Sequence, residues 1–168
     1  MASTTILVPV EEYLRTSFQD GDREYVDGRI VERNVGEIGH SDLQTSIAFY
    51  LRTHYHNIWC GVEVRVQVRP TRFRVPDVTV VLGPKPAGRI IVTPPLLVVE
   101  VLSADDRAAE LQEKIDDYLA FGIPCVWVVN PETRRAYIYT AEGMREAVGG
   151  VLRVSNPEIV VPLDELFA

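Results

Sequence analysis

The sequence predicts an α/β domain, a mixed β-sheet core flanked by helices, with an N-terminal helix and a β-hairpin ahead of it. Three observations predict it. First, Leu96-Leu97-Val98-Val99-Glu100-Val101-Leu102 is apolar on both faces at all but one position, as in a central strand covered on both sides. Second, a helical pattern over residues 106–121 separates that run from another buried stretch, residues 125–130, so the two strands are expected to be parallel across a helical crossover. Third, helix, strands, helix and strand follow one another without a linker, low-complexity tract or repeat. Residues 1–168 are therefore read as one domain, long enough to bury a sizeable core.

The elements follow in order. Residues 9–17 open with Pro and two Glu, which suit the positive end of a short helix. Residues 23–26 and 29–32 flank Asp27-Gly28, a hairpin signal because both turn positions favour φ > 0. From Ser41 the period becomes helical: Leu43, Ile47, Tyr50, Leu51, His54 and Ile58 share a stripe, and Ser41 with Gln44 is expected to form a capping box. The predicted helix covers residues 42–56. Next, Val62, Val64, Val66 and Val68 alternate with Glu63, Arg65, Gln67 and Arg69, predicting one half-exposed strand. Residues 70–74 read as a turn and residues 77–82 as the partner strand. After the loop at residues 83–88 come the central strand and the helix, with Leu111, Ile115, Tyr118 and Leu119 on its buried stripe. Gly122 and Pro124 stop that helix. The second buried strand, a turn at residues 131–134, edge strands and a terminal helical turn complete the chain.

Composition bounds the function. No apolar run reaches the roughly 18 to 20 residues of a membrane span, so no membrane partner is expected. Residues 1–10 lack the basic start and cleavage site of a signal peptide, and a cytoplasmic location is expected. Cys60 and Cys125 are too few for a disulfide framework and are expected to be reduced. His54 and His56 face about opposite ways on a helix and Cys60 has no second cysteine cluster beside it, so no structural zinc is expected. The net charge of −7 excludes nucleic-acid binding by bulk electrostatics and demands a local positive surface for it. Of the 17 basic residues only Lys85 and Lys114 are lysines, which draws attention to each.

Glu100 is the most telling residue. A lone carboxylate in a dry strand costs several kcal/mol, on the order of 3 or more, unless a metal, a cationic partner or a retained proton compensates. Asp77 stands at the start of a neighbouring strand, and two carboxylates at adjacent strand ends can converge on one hard cation. Oxygen-only donors favour Mg²⁺ or Mn²⁺. Lys114 lies at the flank of its helix's apolar stripe, where its long stem can reach that site and place a compact positive charge on water or a developing anion. The competing readings are a structural salt bridge for Glu100, a turn residue for Asp77 and a solvent-seeking side chain for Lys114. His40, ahead of the capped helix, is a candidate contact to phosphate or acid for a leaving group. Glu24 is either a further acidic ligand or an exposed hairpin residue. Arg65 and Arg69 on the polar strand face, with Arg72 and Arg74 after them, are candidate phosphate contacts, with the plentiful carboxylates as competing partners.

Taken together, Pro76-Asp77 and the strand ending in Glu100-Val101-Leu102 resemble the PD-(D/E)XK nuclease superfamily. The ordered set Glu24-Tyr25-Val26-Asp27-Gly28-Arg29, Pro76-Asp77-Val78, Pro94 to Ser103, Lys114 to Leu119, Gly122-Ile123-Pro124 and Trp127 resembles a large bacterial family described as putative restriction endonucleases, over roughly residues 10–140. The superfamily pattern would place a lysine two residues after Glu100, where this chain has Leu102. The resemblance implies that the lysine has moved to the following helix as Lys114, and that Asp77, Glu100 and a main-chain carbonyl such as that of Val101 hold the metal. It implies a restriction-endonuclease-like fold and metal-dependent hydrolysis of nucleic acid, DNA being the expected partner. Cutting two strands would make a homodimer or higher homo-oligomer useful. Two other readings stand beside it: a non-catalytic nucleic-acid or protein-interaction module with this fold, and a metal-dependent hydrolase of a small phosphorylated substrate.

Overall fold

The fold is that of a computed structural model, and it describes residues 6–34 and 36–168. The leading residues 1–5, on which the reading of the N-terminus partly rests, lie outside the described residues. Among the described residues no helix is long and apolar enough to cross a membrane.

Helix α1 (Val10–Arg15) leads into the hairpin β1 (Glu24–Val26) and β2 (Arg29–Val31). Asp27 and Gly28 have φ of 48° and 93°, the left-handed pair that the Asp-Gly dipeptide predicts. Helix α2 (Ile38–His54) is followed by β3 (Ile58–Val62), β4 (Val66–Arg69), β5 (Arg72–Arg74), β6 (Val78–Leu82) and β7 (Leu97–Val101). Then come α3 (Ala108–Phe121), β8 (Cys125–Asn130), β9 (Arg135–Thr140), β10 (Gly143–Glu146), β11 (Val151–Ser155), β12 (Glu158–Pro162) and α4 (Leu163–Leu166). A six-stranded sheet runs β10-β9-β8-β7-β6-β3, a four-stranded sheet β2-β1-β5-β4, and β11-β12 form a separate hairpin. Strands β7 and β8 are the parallel pair, joined through α3 as expected, and the remaining ladders are antiparallel. Gly122, at φ 104°, ends α3 by donating to the Leu119 carbonyl, while Ile123 N–H donates to that of Tyr118.

The apolar run of β7 works on both faces, as its composition predicts. Leu97, Val99 and Val101 pack with Leu43, Ile47 and Leu51 of α2 and with Leu152, Ile159 and Val161 of the C-terminal hairpin. On the opposite face Val98 packs with Ile115 and Tyr118 of α3 and with Val126, Val128, Val66 and Val68. Strand alternation therefore turns Glu100 toward α3. A smaller cluster of Tyr13, Tyr25 and Phe73 ties α1 to the four-stranded sheet.

Four expectations are corrected. The alternating run at residues 62–68 is not one strand: Glu63 takes φ 52°, and the chain leaves the six-stranded sheet after Val62 to join the four-stranded one at Val66. Alternation along the sequence cannot register a change of sheet, because both halves keep period two. Residues 72–74 are accordingly strand β5, the partner of β4, while β6 pairs with β3 and β7. Helix α2 begins at Ile38, so Ser41 sits inside it and forms no cap; its supposed partner Gln44 is buried and donates to the Asp77 carbonyl at 3.2 Å. His54 is exposed, stacked on Tyr50 with ring centroids 3.9 Å apart, and Ile58 belongs to β3.

The arginines expected to contact phosphate do not form one surface. Arg65 lies over the Tyr13 ring and pairs with Asp22 at 2.6 Å. Arg72 bonds Asp27 and Asp117, the latter at 3.0 Å. Arg74 is buried between Glu24 at 2.9 Å and Asp117 at 2.7 Å. Only Arg69 keeps a half-exposed side chain, 3.7 Å from Asp117. The excess of acid over base gives these guanidinium groups internal carboxylates to neutralise.

Arg74→Met leaves Glu24 and Asp117 without their shared buried cation and is expected to cost about 3–5 kcal/mol of unfolding free energy, read by urea denaturation. Arg153→Met, which removes a half-exposed partner of Glu158, is expected to stay within about 0.5 kcal/mol.

Candidate active site

The register of β6 against β7 pairs Val78 with Val99 and Thr79 with Val98. Carried one step on, it sets Asp77 opposite Glu100 on the same face of the sheet. Both side chains are buried, at 2% and 5% exposure for their residues, so the two acids at adjacent strand ends are brought together as the sequence predicts.

Each acid has specific partners. Asp77 accepts from the Val101 N–H at 2.7 Å and from Arg33 Nη2 at 2.8 Å, and His40 Nε2 stands 3.3 Å from the same oxygen that Val101 bonds. The structure thus links Val101 to the site through its amide. Glu100 Oε1 accepts from Tyr118 Oη at 2.5 Å, while Lys114 Nζ lies 3.6 Å from Oε2, beyond a direct hydrogen bond. Lys114 also stands 3.3 Å from Glu24 Oε1. Glu24 is buried rather than exposed on its hairpin: its two oxygens engage Val75 N–H, Arg74 and Lys114. In this arrangement the direct work of Glu24 is to hold Lys114, and that of Arg74 and Asp117 is to hold Glu24 and the base of α3.

Helical spacing explains the α3 contribution. Lys114, Asp117 and Tyr118 fall at i, i+3 and i+4, on one face looking at the sheet. Lys114 is therefore directed at the site, its side chain 22% exposed, and not at bulk solvent. Because α2 begins at Ile38, His40 lies inside its first turn and not ahead of it as the sequence suggests, and its side chain is 15% exposed.

The charges shift one another. Burial lifts the Glu100 carboxyl to about 7; Lys114 opposes that rise, while nearby Asp77 and Glu24 add to it. Burial disfavours the Lys114 ammonium, but Glu100, Glu24 and Asp77 outweigh it and hold the lysine above its ordinary range, so it stays charged. The hydrogen bond to Asp77 raises His40 despite its burial. Burial of Glu24 is overcome by Lys114 and Arg74, which keep it ionised below its ordinary value.

Sequence reasoning misses Arg33, Tyr118's hydroxyl role, Asp117 and Gln44. Arg33 comes from the unpatterned segment after β2 and carries no periodic signal. Tyr118 reads only as a stripe residue. Asp117 had a signal, its spacing of three from Lys114.

The two acids offer only oxygen atoms as ligands, and Glu100 Oε2 accepts no hydrogen bond, so the chemistry of these atoms suits a hard divalent cation. Among the described residues no three His, Cys, Asp or Glu side chains form a ready-made metal cage. The cations Arg33 and Lys114 stand among the carboxylates instead. Two concavities, one of about 540 Å³ beside β9–β12 and one of about 210 Å³ near Cys60, lie away from these residues.

Free of divalent cations, Glu100 holds a proton between its ordinary 4.5 and about 7, where the unfolded chain has released it. Folded chains then bind more protons than unfolded ones, so stability falls as pH rises through that window. In the presence of chelator, thermal unfolding between pH 5 and 6.5, below the range in which His40 titrates, is expected to show this fall, and Glu100→Gln to flatten it there. A slope unchanged by the substitution would contradict the protonated, buried acid.

Comparison with known proteins bears on the fold and the family. A search of the curated proteins found no match. Among solved structures the chain is similar to the crystal structure of "a putative nuclease belonging to DUF820" from Anabaena variabilis, with a TM-score of 0.77 at 18% identity, over 94% of this chain and 96% of that one. At that identity the likeness establishes the fold. The model of the Uma2 family, described as "Putative restriction endonuclease", matches residues 10–164, nearly the whole length, and the chain belongs to that family.

Proposed function

We propose that this chain is a metal-dependent endonuclease that hydrolyses phosphodiester bonds in nucleic acid, DNA by preference. The observation that carries the reading is the Asp77–Glu100 pair, opposed across β6 and β7 with Lys114 3.6 Å from Glu100. Asp77 and Glu100, with a main-chain carbonyl such as that of Val101, would hold Mg²⁺ or Mn²⁺. When bound, such a cation supplies Lewis acidity toward the phosphate and lowers the pKa of the attacking water.

The chain's own residues provide the rest. Lys114 is kept protonated by the surrounding carboxylates, so it serves as a fixed positive charge and a donor to water or phosphoryl oxygen, not as a base. Glu24 fixes its position from one side and Glu100 from the other. His40, whose proton is retained above its ordinary range, is placed at the rim to donate to a leaving oxygen. Tyr118 holds the Glu100 carboxylate in orientation. Phosphoryl transfer asks little covalent help of a protein, and positioned charge of this kind can carry it.

The expected activity is Mg²⁺- or Mn²⁺-dependent cutting of DNA, assayed on double-stranded, single-stranded and mismatched substrates. Asp77→Ala and Glu100→Ala are expected to abolish it, and Lys114→Ala to slow it by roughly 10² to 10³. Lys114→Arg is expected to restore little, since a broad planar guanidinium does not replace a compact ammonium. Cutting that survives both carboxylate substitutions would refute the site. Metal-dependent turnover of a small phosphoester without DNA cutting would favour the small-substrate reading, which the net charge of −7 and the internal pairing of Arg65, Arg72 and Arg74 make the competitor.

A further inference from the structure

Among the described residues Arg33 is the arginine or lysine that reaches the acidic pair from a loop. Its Nη2 lies 2.8 Å from Asp77 Oδ1, and its Nη1 lies 3.6 Å from Glu63. The side chain is 17% exposed, so it borders solvent on one side and the buried carboxylate on the other. Asn34 beside it donates to Asp106 at 2.6 Å and to Ser103 at 3.1 Å, pinning the segment across the mouth of the site. Arg33 therefore occupies one of the two oxygens through which Asp77 would bind a divalent cation. The other oxygen accepts from Val101 N–H, a bond within the fold that cannot leave without moving β7, and also faces His40 Nε2 at 3.3 Å.

A guanidinium on Asp77 Oδ1 takes up one of that oxygen's lone pairs and sets a positive charge beside any divalent cation bound there, so the two compete for the oxygen and repel by charge. A guanidinium also binds a phosphate diester through the same forked donors that it offers to Asp77. Arg33 thus has two alternative anions within reach of one side chain: the Asp77 carboxylate when the site is empty, and a substrate phosphate when it is filled.

We propose that Arg33 is a positioning residue that competes with the divalent cation for Asp77 and is drawn off it by the phosphate of the substrate, so that cation and nucleic acid bind cooperatively. This rests on the metal-dependent reading of the site. It assigns a phosphate-contacting role to Arg33, which borders the acidic pair, and not to Arg65, Arg72 and Arg74, whose partners are carboxylates outside that pair. Because linkage is reciprocal, the cation must raise affinity for the phosphate polymer by the same factor that the polymer raises affinity for the cation.

The test is calorimetric titration of the full chain with Mn²⁺ alone, without turnover. Arg33→Gln is expected to bind Mn²⁺ roughly tenfold more tightly than the wild type, and Arg33→Lys, which keeps the charge, to return toward the wild-type value. Thermal unfolding checks that each variant is folded. Should Arg33→Gln fail to fold, Asn34→Ala offers a second route: it loosens the segment without touching the carboxylates and is expected to tighten Mn²⁺ binding to a smaller extent. A second readout is polarisation of a labelled DNA duplex with Ca²⁺, which should raise wild-type affinity more than that of Arg33→Gln. Mn²⁺ binding by the wild type that is unchanged or weakened in Arg33→Gln would overturn the role of Arg33 and leave the metal site standing. No Mn²⁺ binding by either protein would overturn both.

Discussion

One chain of charge compensation underlies the site: Asp117 and Glu24 share Arg74, Glu24 holds Lys114, and Lys114 faces Glu100. A carboxylate in the dry face of a central strand is tolerable only because the next charge is in place, and that charge only because of the one behind it. The series crosses from the four-stranded sheet, through α3, to the six-stranded sheet. Its members are buried or nearly so, which makes each attraction strong and each omission costly. The ordinary hydrophobic core fixes the layers, but this polar series fixes where the layers meet.

The same series explains how an acidic protein can be rich in arginine. Three of the four arginines that look like a nucleic-acid surface in the sequence are structural counter-ions here. The cations left near the acidic pair are few and specific: Arg33, Lys114 and, when protonated, His40. An anionic ligand would thus meet a small positive focus inside a negative molecule. Such an arrangement favours local contact with phosphate over long-range attraction to a polyanion.

Much of this was legible in the sequence. The apolar run around Glu100, the helical crossover and the Asp-Gly hairpin each follow from local chemistry, and they specify the central parallel pair and its neighbours. The opposition of Asp77 and Glu100 and the inward turn of Lys114 were legible for the same reason, since strand ends and helical spacing are periodic properties. What was not legible depends on where periodicity is silent. A strand that changes sheets at Glu63 keeps its alternation on both sides of the corner. Arg33 lies in a segment without pattern, and Gln44 imitates a capping residue while serving the Asp77 backbone. Arginine partners were equally hidden, because a sequence displays charges without displaying which of them touch.

The corner at Glu63 has a wider meaning. Its N–H bonds the Asp77 carbonyl, so the place where the backbone passes from one sheet to the other is also a support of the acidic pair. One sheet brings the paired acids Asp77 and Glu100; the other brings Glu24 and Arg74, which keep Lys114 in place beside them. Neither half is useful by itself, as a lock split along its barrel is no longer half a lock. Exchanging one sheet without the other would separate these charges from their counterweights.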